Sequence, residues 1–309
     1  MHDAKFSERG VIPVGTVAVT LGIDTQSDGF YFLVGCWGRK HELWLPLTDR
    51  ITGDLRSEAP WKALLEILET TWLDKDGNAY KPAASAIDVQ GDMYPETLEF
   101  VRARGGRCRL RAVRGYALAR AQAAGRSFGI LRNSYLDKTT HVTVTNVDVD
   151  LGKNILASML ARKEPGAGYV HLPCGPNGEV KGGWDAETVA ELTAEYRRQT
   201  NLRGYTISRW HKRSGRANHR LDCLVYALAA LSLSRWLKID DCALQRVEAR
   251  NVGQSEQTKD HARSPFGARK MFVKNDPEIG GLAGYGVELP PDHPRPAGWG
   301  ALPESGVSF

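Results

Sequence analysis

The most restrictive feature of this 309-residue sequence is the series of strand-like segments near its start. From Thr16 to Asp24, apolar residues recur at every second position, as they do in a strand with one buried face. An Asp28-Gly29 turn signal separates this segment from an apolar, β-rich run at 30–37, and a third run follows at 42–47. The spacing therefore predicts that the chain opens with an antiparallel meander of three strands.

The next part of the chain mixes helical and strand-like spacing. Helical spacing begins at Pro60, returns at 95–104 before the stop signal Gly105-Gly106, and is strongest at 218–237. Further helices are expected at 151–161, with Asp150 as the cap, and at 185–198, and short strands at 83–89, 109–113, 169–172 (an edge strand) and 205–210. This order predicts an α/β fold, in which helices cover both faces of a mixed sheet.

Three regions differ in composition. Residues 1–15 are expected to form an N-terminal arm or linker, and residues 16–240 the α/β domain. Residues 241–309 are expected to form a C-terminal extension with little core of its own, because Gly, Pro, Ser and charged residues replace the apolar periodicity there.

Cysteine usage and hydropathy limit the cellular compartments in which this chain is expected. The five cysteines are odd in number, far apart and form no CxxC pair, which argues against a disulfide framework or a zinc site and favours a reducing compartment. The sequence has no run of about 18 apolar residues and no apolar segment after Met1. Neither a transmembrane helix nor a secretory signal is therefore expected, and no membrane partner.

Basic residues are concentrated in two stretches that contain no Asp or Glu, 101–136 and 196–221. The net charge of +5 is modest, so this distribution carries more information than the total. Arginine dominates lysine in both stretches, and its guanidinium can bind a phosphate through two parallel hydrogen bonds. The pattern favours a polyanionic partner such as nucleic acid over two merely solvated faces.

Three aspartates are candidates for metal chemistry because of where they stand. Asp24 ends the first apolar strand, Asp88 lies near the end of the buried strand at 83–89, and Asp222 lies in the first turn of the last helix. If the first and fourth strands are neighbours, two of these carboxylates project at one sheet edge, and a helix packed across that edge adds the third. A single Asp at a strand end is usually a turn or cap residue, so the prediction depends on the set.

Three unpaired carboxylates would repel one another, and a divalent cation removes that cost. Mg²⁺ and Mn²⁺ prefer carboxylate and water ligands. Two such ions about 4 Å apart suit phosphodiester hydrolysis, because one activates water and the other stabilises the leaving oxygen. The sequence therefore predicts a site for two ions of Mg²⁺ or Mn²⁺.

Five motifs occur in an order that is familiar from one family. They are Gly22-Ile-Asp24-Thr-Gln-Ser-Asp28, Ala86-Ile-Asp88, Ala112-Val-Arg-Gly115, Leu192-Thr-Ala-Glu195 and Leu221-Asp-Cys-Leu-Val-Tyr-Ala-Leu-Ala-Ala230. Over residues 16–237 the chain resembles the nuclease domain of lambda-like phage terminase large subunits. The resemblance implies a ribonuclease H-like fold and cleavage of double-stranded viral DNA during genome packaging, in the cytoplasm of the bacterial host.

The resemblance also implies roles for particular residues. It places the metal-binding, catalytic acids at Asp24, Asp88 and Asp222, with Asp24 bridging the two ions. His219 stands one helical turn before Asp222 and would bind metal-bound water or phosphate, or alternatively face DNA or cap the helix. The family's Lys-Gly pair is Arg114-Gly115 here, which favours a phosphate clamp over a general acid. Together with the basic stretches, this gives the expected DNA-binding residues Arg114, Arg120, Arg213, Arg216 and Arg220.

Family members carry a packaging ATPase, whereas this sequence contains no GxxxxGK[ST] motif. We therefore expect no ATP hydrolysis by this polypeptide, with the packaging ATPase domain missing or on a separate chain. The other expected partners are double-stranded DNA, a small terminase subunit that supplies cleavage specificity, and the capsid portal, for which 241–309 is the candidate binding segment.

Two other functions are compatible with the same residues. One is another ribonuclease H-like DNA nuclease, of the junction resolvase or transposase type, which also uses an acidic cluster. The other is a non-catalytic DNA-binding or packaging assembly module, in which the acids are structural. The motif at 221–230 and the strand end at Asp24 favour the terminase nuclease.

Overall fold

The computed structural model describes residues 11–116, 129–173, 181–202, 205–234 and 299–301. The strands in these ranges are β1 (Ala18–Gln26), β2 (Gly29–Trp37), β3 (Leu43–Thr52), β4 (Trp72–Leu73), β5 (Ala79–Tyr80), β6 (Ala84–Asp88), β7 (Leu110–Tyr116), β8 (Leu131–Leu136), β9 (Thr143–Asp148), β10 (Val170–Pro173), β11 (Glu195–Leu202), β12 (Tyr205–Lys212) and β13 (Trp299–Ala301). The helices are α1 (Glu58–Glu69), α2 (Tyr94–Cys108), α3 (Val149–Leu160), α4 (Ala186–Glu191) and α5 (His219–Leu233), with a 3₁₀ turn at Arg39–His41.

The predicted meander forms the centre of the main sheet. β1 pairs antiparallel with β2, and β2 with β3. The β1–β2 turn depends on Gly29, whose φ is +137° and at which a Cβ atom would lie 1.9 Å from the carbonyl oxygen of Ile51. The Asp-Gly signal in the sequence therefore corresponds to a position where only glycine fits.

The main sheet of the described ranges is mixed and has nine strands, in the order β13-β10-β3-β2-β1-β6-β7-β9-β8. β6, β7 and β9 extend it in parallel from β1, and β8 closes this side antiparallel to β9. β11 and β12 form a separate two-stranded ribbon, as do the short β4 and β5. The predicted α/β class with a mixed, ribonuclease H-like sheet is confirmed.

Helices cover both faces of this sheet, as predicted. On one face, α1 and α2 pack through Leu64, Leu68 and Leu98 into one apolar cluster. On the other, α3 and α5 contribute Leu156 and Leu224 to a second cluster. The two clusters place the centre of the sheet between apolar layers, so β1 and β6 are buried along their whole length apart from Gln26.

Several predicted boundaries and elements were wrong. α2 does not stop at Gly105-Gly106 but continues to Cys108, because the missing Cβ of Gly105 lets this turn pack against β7, where a Cβ would lie 3.0 Å from the carbonyl oxygen of Leu110. The cap of α3 is Asp148, whose side chain accepts a hydrogen bond from the Leu151 amide at 2.9 Å, and Asp150 lies inside the first turn.

The largest correction concerns the helix predicted at 185–198. The helix ends at Glu191, and Glu195 begins β11 instead. The Asp185–Thr188 capping box begins this short helix. The residues from Glu195 onward pair with β12, so cross-strand pairing replaces helical continuation. β8 and β9 were also not predicted.

The ends of the predicted domain are only partly described. α5 runs to Leu233, and the predicted continuation to 237 lies outside the described residues. β13, within the expected C-terminal extension, pairs antiparallel with β10, so β10 is not an edge strand. In the part of the chain that the structure describes, no helix is long and apolar enough to cross a membrane.

Candidate active site

Asp24 and Asp88 lie side by side at the carboxyl ends of two neighbouring parallel strands. β1 and β6 pair in the register Ile23↔Ile87, so the next residue of each strand is one of these aspartates. Both are buried, with 4% and 7% of their surface exposed. The Thr25 hydroxyl donates a hydrogen bond to the backbone carbonyl of Asp88 at 2.7 Å, which ties the two strand ends together.

Asp222 joins them because α5 lies directly on β1. A Cβ atom at Gly22 would be 1.8 Å from the carbonyl oxygen of Cys223, so only glycine permits this approach. The Thr20 hydroxyl, on the same strand, donates to the carbonyl of Ala227 at 3.0 Å and extends the contact along the helix. The contact places the first turn of α5, which carries Asp222, over the end of β1.

Two of the three carboxylates, Asp88 and Asp222, have a raised pKa. Burial raises the pKa of Asp88 to about 7, and the negative charges of Asp24 and Asp222 add to the rise against a hydrogen bond from the Gln90 amide. Burial likewise raises the pKa of Asp222 to about 6, although the attraction of Lys153 opposes it. The cluster is therefore short of positive charge at neutral pH.

The raised pKa values of Asp88 and Asp222 predict an unusual dependence of stability on pH. Between about pH 4 and pH 7 the folded chain holds protons on Asp88 and Asp222 that the unfolded chain has lost, so the free energy of unfolding falls as pH rises through this window. We expect the melting temperature without divalent cations to be lower at about pH 8 than at about pH 5, by on the order of 5 °C. Thermal melts of the wild type and of Asp88→Asn measure this.

In that comparison, Asp88→Asn is expected to melt higher than the wild type at the upper pH and to show a weaker pH dependence, because it removes a buried charge. Equal melting temperatures for the two proteins across the range would contradict the raised pKa of Asp88.

His219 contacts the cluster through Asp24. Its Nδ1 lies 2.8 Å from Oδ2 of Asp24, the oxygen that also accepts a hydrogen bond from Gln26 Nε2 at 2.9 Å. The imidazole stacks on the ring of Tyr31, with centroids 4.1 Å apart and planes 2° apart. His219 is therefore held in a fixed orientation beside the predicted metal ligands. Its expected contact with metal-bound water or phosphate stays a prediction.

A buried ring of polar groups holds Asp222, and the sequence did not predict it. Lys153 Nζ lies 3.0 Å from Oδ1 of Asp222 and 2.6 Å from Oε1 of Glu195. Asn218 Nδ2 donates to the same Oε1 at 2.7 Å and to Oδ2 of Asp222 at 2.8 Å, which closes the ring. Burial lowers the pKa of Lys153, but the two carboxylates outweigh it and hold the pKa above its ordinary value, so the ammonium stays charged.

Glu195 lies within the helix predicted at 185–198, but in the structure it is buried at the start of β11. Its side chain is 5% exposed and accepts two hydrogen bonds within the ring. In the sequence, the only signal for Lys153 is its place on the buried side of α3, beside Gly152 and Leu156. A lysine among apolar positions indicates a buried partner, because an unpaired ammonium is costly there.

The predicted DNA-binding arginines do not share one environment. Arg114, Arg213 and Arg216 are exposed, and Arg120 lies outside the described residues. Arg220 is instead 9% exposed, with Nη1 3.2 Å from Oε1 of Glu191 and its guanidinium 4.6 Å from the centroid of the Tyr31 ring. The position of Arg220 supports a role in holding the start of α5, rather than the predicted contact with DNA.

Within the described ranges, no three His, Cys, Asp or Glu side chains are arranged as a ready metal-binding group. The hydrogen bonds explain this, because the oxygens of Asp222 face Lys153 and Asn218, and Oδ2 of Asp24 faces His219 and Gln26. The donor types still fit a hard cation, because three carboxylates meet and the charge of Asp24 adds to the burial that raises the pKa values of Asp88 and Asp222. Mg²⁺ or Mn²⁺ binding thus stays a prediction.

The chain is thus an α/β protein of the ribonuclease H-like class. Its three aspartates meet at the ends of β1 and β6 and at the start of α5. Residues 1–240 match the family described as terminase large subunit gpA, endonuclease domain, and the chain belongs to that family. The terminase large subunit of Escherichia phage lambda is 27% identical to it over 277 residues. The match covers 86% of this chain and 41% of the lambda protein, so the chain spans about two fifths of that relative's length. No solved structure matches the chain.

Proposed function

We propose that this chain is a divalent-metal-dependent endonuclease that cleaves double-stranded viral DNA during genome packaging. The observation that carries the proposal is the meeting of Asp24, Asp88 and Asp222 at one sheet edge, where burial, together with the charge of Asp24, raises the pKa values of Asp88 and Asp222. Membership of the terminase endonuclease-domain family supports the same activity. The expected action in the cytoplasm of the bacterial host belongs to this proposal.

In this proposal the three aspartates hold Mg²⁺ or Mn²⁺. Two such ions, when bound, would activate a water molecule and stabilise the leaving oxygen of a phosphodiester. The protein's own residues orient the ligands: His219 and Gln26 fix Asp24, while Lys153 and Asn218 fix Asp222. Groups that hold carboxylate ligands in this way tune metal affinity, typically by 10–100-fold.

Exposed cations would hold the DNA substrate near these carboxylates. Arg114 follows Val113, the β7 partner of Asp88, so its side chain belongs to the same end of the sheet. Arg213 and Arg216 lie in the connection that leads into α5. Their guanidinium groups suit phosphate contacts that do not depend on base sequence. A small terminase subunit would then supply the specificity.

The remaining partners are proposed from the resemblance to the terminase family. We propose that the packaging ATPase acts with this nuclease, and that residues 241–309 bind the capsid portal, with 1–15 as a linking arm. A competing function, a non-catalytic assembly module, is favoured by one observation: the carboxylates already have protein donors, and no ready metal-binding group is formed among the described residues.

The test is plasmid cleavage by the purified chain in Mg²⁺, in Mn²⁺ and in EDTA. We expect nicking and linearisation with either metal and none with the chelator, since the carboxylates alone cannot activate water. Metal-induced protection against thermal unfolding, larger at about pH 8 than at about pH 5, should accompany cleavage because protons compete for the same oxygens. DNA binding without cleavage in any metal would instead support the assembly module.

A further inference from the structure

The ribbon formed by β11 and β12 stands apart from the main sheet and begins at the active site. Its strands pair antiparallel from Glu195↔Lys212 to Leu202↔Tyr205. At its base, the Arg213 amide donates to the carbonyl of Ala194 at 2.9 Å. Glu195, the first ribbon residue, contacts the ammonium that also contacts Asp222. The start of the ribbon is therefore connected to a candidate catalytic carboxylate through one side chain.

The two faces of the ribbon differ in what they contact. Side chains alternate between faces along each strand, so Glu195, Arg197, Ser208 and Trp210 share one face, here called the inner face. Trp210 Nε1 donates to Asn154 of α3 at 3.0 Å, and Arg197 Nε donates to Ser208 Oγ at 3.0 Å. On the inner face, Trp210 therefore contacts α3, and Arg197 is bonded within the ribbon.

The outer face, defined by Tyr196, Arg198, Arg209 and His211, is positively charged. Arg198 and Arg209 are cross-strand partners, and both are exposed. Like charges directly opposite each other destabilise a strand pair. The sequence places no Asp or Glu on this face.

Arg213 adds a third cation at the base of the outer face. Its guanidinium lies 5.4 Å from the centroid of the Tyr196 ring, and Tyr196 is 36% exposed. Tyr196 has Arg198 two residues further along β11 and Arg213 beside its ring. The two guanidinium groups can contact phosphates, and the ring offers a surface for a sugar. The repulsion between the paired arginines favours an anion lying across this face.

We propose that the outer face of the ribbon binds the sugar–phosphate backbone of duplex DNA beside the cleaved bond. This inference rests on the proposed nuclease function and names the surface that holds the substrate. Each strand has eight residues, so the ribbon is about 26 Å long. That length follows roughly eight base pairs of a duplex. Arginine suits this partner because its fork of donors matches phosphate oxygens and reads no base sequence.

The experiment measures binding of a fluorescein-labelled duplex by anisotropy in EDTA, which prevents cleavage, over a range of NaCl concentrations. The variants are Arg198→Gln, Arg209→Gln and the double substitution, with Arg197→Gln as the control for loss of one charge on the inner face. We expect the double variant to bind roughly tenfold or more weakly and its salt slope to fall by about 2, one for each lost phosphate contact. Arg197→Gln should change both quantities much less.

Thermal melts separate this role from a structural one. Relief of the Arg198–Arg209 repulsion should leave the melting temperature of the double variant unchanged or higher, whereas a structural role would lower it. If the double variant binds the duplex with wild-type affinity and salt slope, the inference about the ribbon is overturned. The proposed nuclease function would still stand. Weakened binding in the double variant, in a chain that never cleaves, would overturn the proposed nuclease function and retain the ribbon as a DNA-binding surface.

Discussion

Asp24→Asn and Asp222→Asn should each reduce metal-dependent plasmid cleavage by roughly 10⁴-fold or more, a loss typical of removing one member of a catalytic constellation. Asparagine keeps the size of the side chain and removes the charge that would hold a cation. At position 24, the amide oxygen can still accept the hydrogen bond from Gln26 or from His219. The variants should therefore remain folded, and their circular dichroism spectra and melting temperatures measured without metal check this.

Asp28→Asn is the matched control for this experiment. Asp28 stands only four residues after Asp24, but its side chain is 66% exposed and pairs with Arg50. Surface ion pairs contribute little, so both the fold and the cleavage rate should stay close to wild type. If Asp24→Asn and Asp222→Asn cut as fast as this control, the carboxylates are structural and the assembly-module hypothesis gains support.

The sequence predicted the parts of the fold that depend on local patterns. The alternation at 16–24 and the Asp28-Gly29 turn follow from strand periodicity and from a φ angle that glycine tolerates, and both are confirmed. The helix predicted at 185–198 failed because its second half pairs with a strand that lies later in the sequence. The prediction that a helix ends at Gly105-Gly106 was wrong, because Gly105 permits close packing of the helix against β7 and does not end it.

The candidate site shows the same division between local and distant information. The positions of Asp24 and Asp88 follow from strand ends, and their proximity from one assumption about strand order. The ring around Asp222 joins residues 42 and 23 positions apart, Lys153 to Glu195 and Glu195 to Asn218. No periodicity within a segment encodes such pairs, since they depend on how α3, β11 and α5 come together. A buried lysine is visible in the sequence, but its partners are not.

Gly22→Ala should have the largest effect on stability of any single methyl addition to this site. The new Cβ would lie 1.8 Å from the carbonyl oxygen of Cys223 and 2.5 Å from the backbone nitrogen of Ala227. Backbone atoms in a buried helix cannot move aside as the end of a side chain can, so β1 and α5 must separate. We expect the free energy of unfolding to fall by about 4 kcal/mol or more, measured by urea titration.

The cleavage activity of Gly22→Ala should fall by more than the fraction of the protein that is unfolded. The reason is that the same contact sets the distance between Asp24 on β1 and Asp222 on α5. Gly106→Ala is the control: a Cβ there meets no atom within 4 Å, and alanine favours a helix over glycine by up to about 1 kcal/mol. It should leave cleavage unchanged and raise stability slightly. A Gly22→Ala protein with wild-type stability and cleavage would mean that α5 does not rest on β1, and the three carboxylates would then need another explanation.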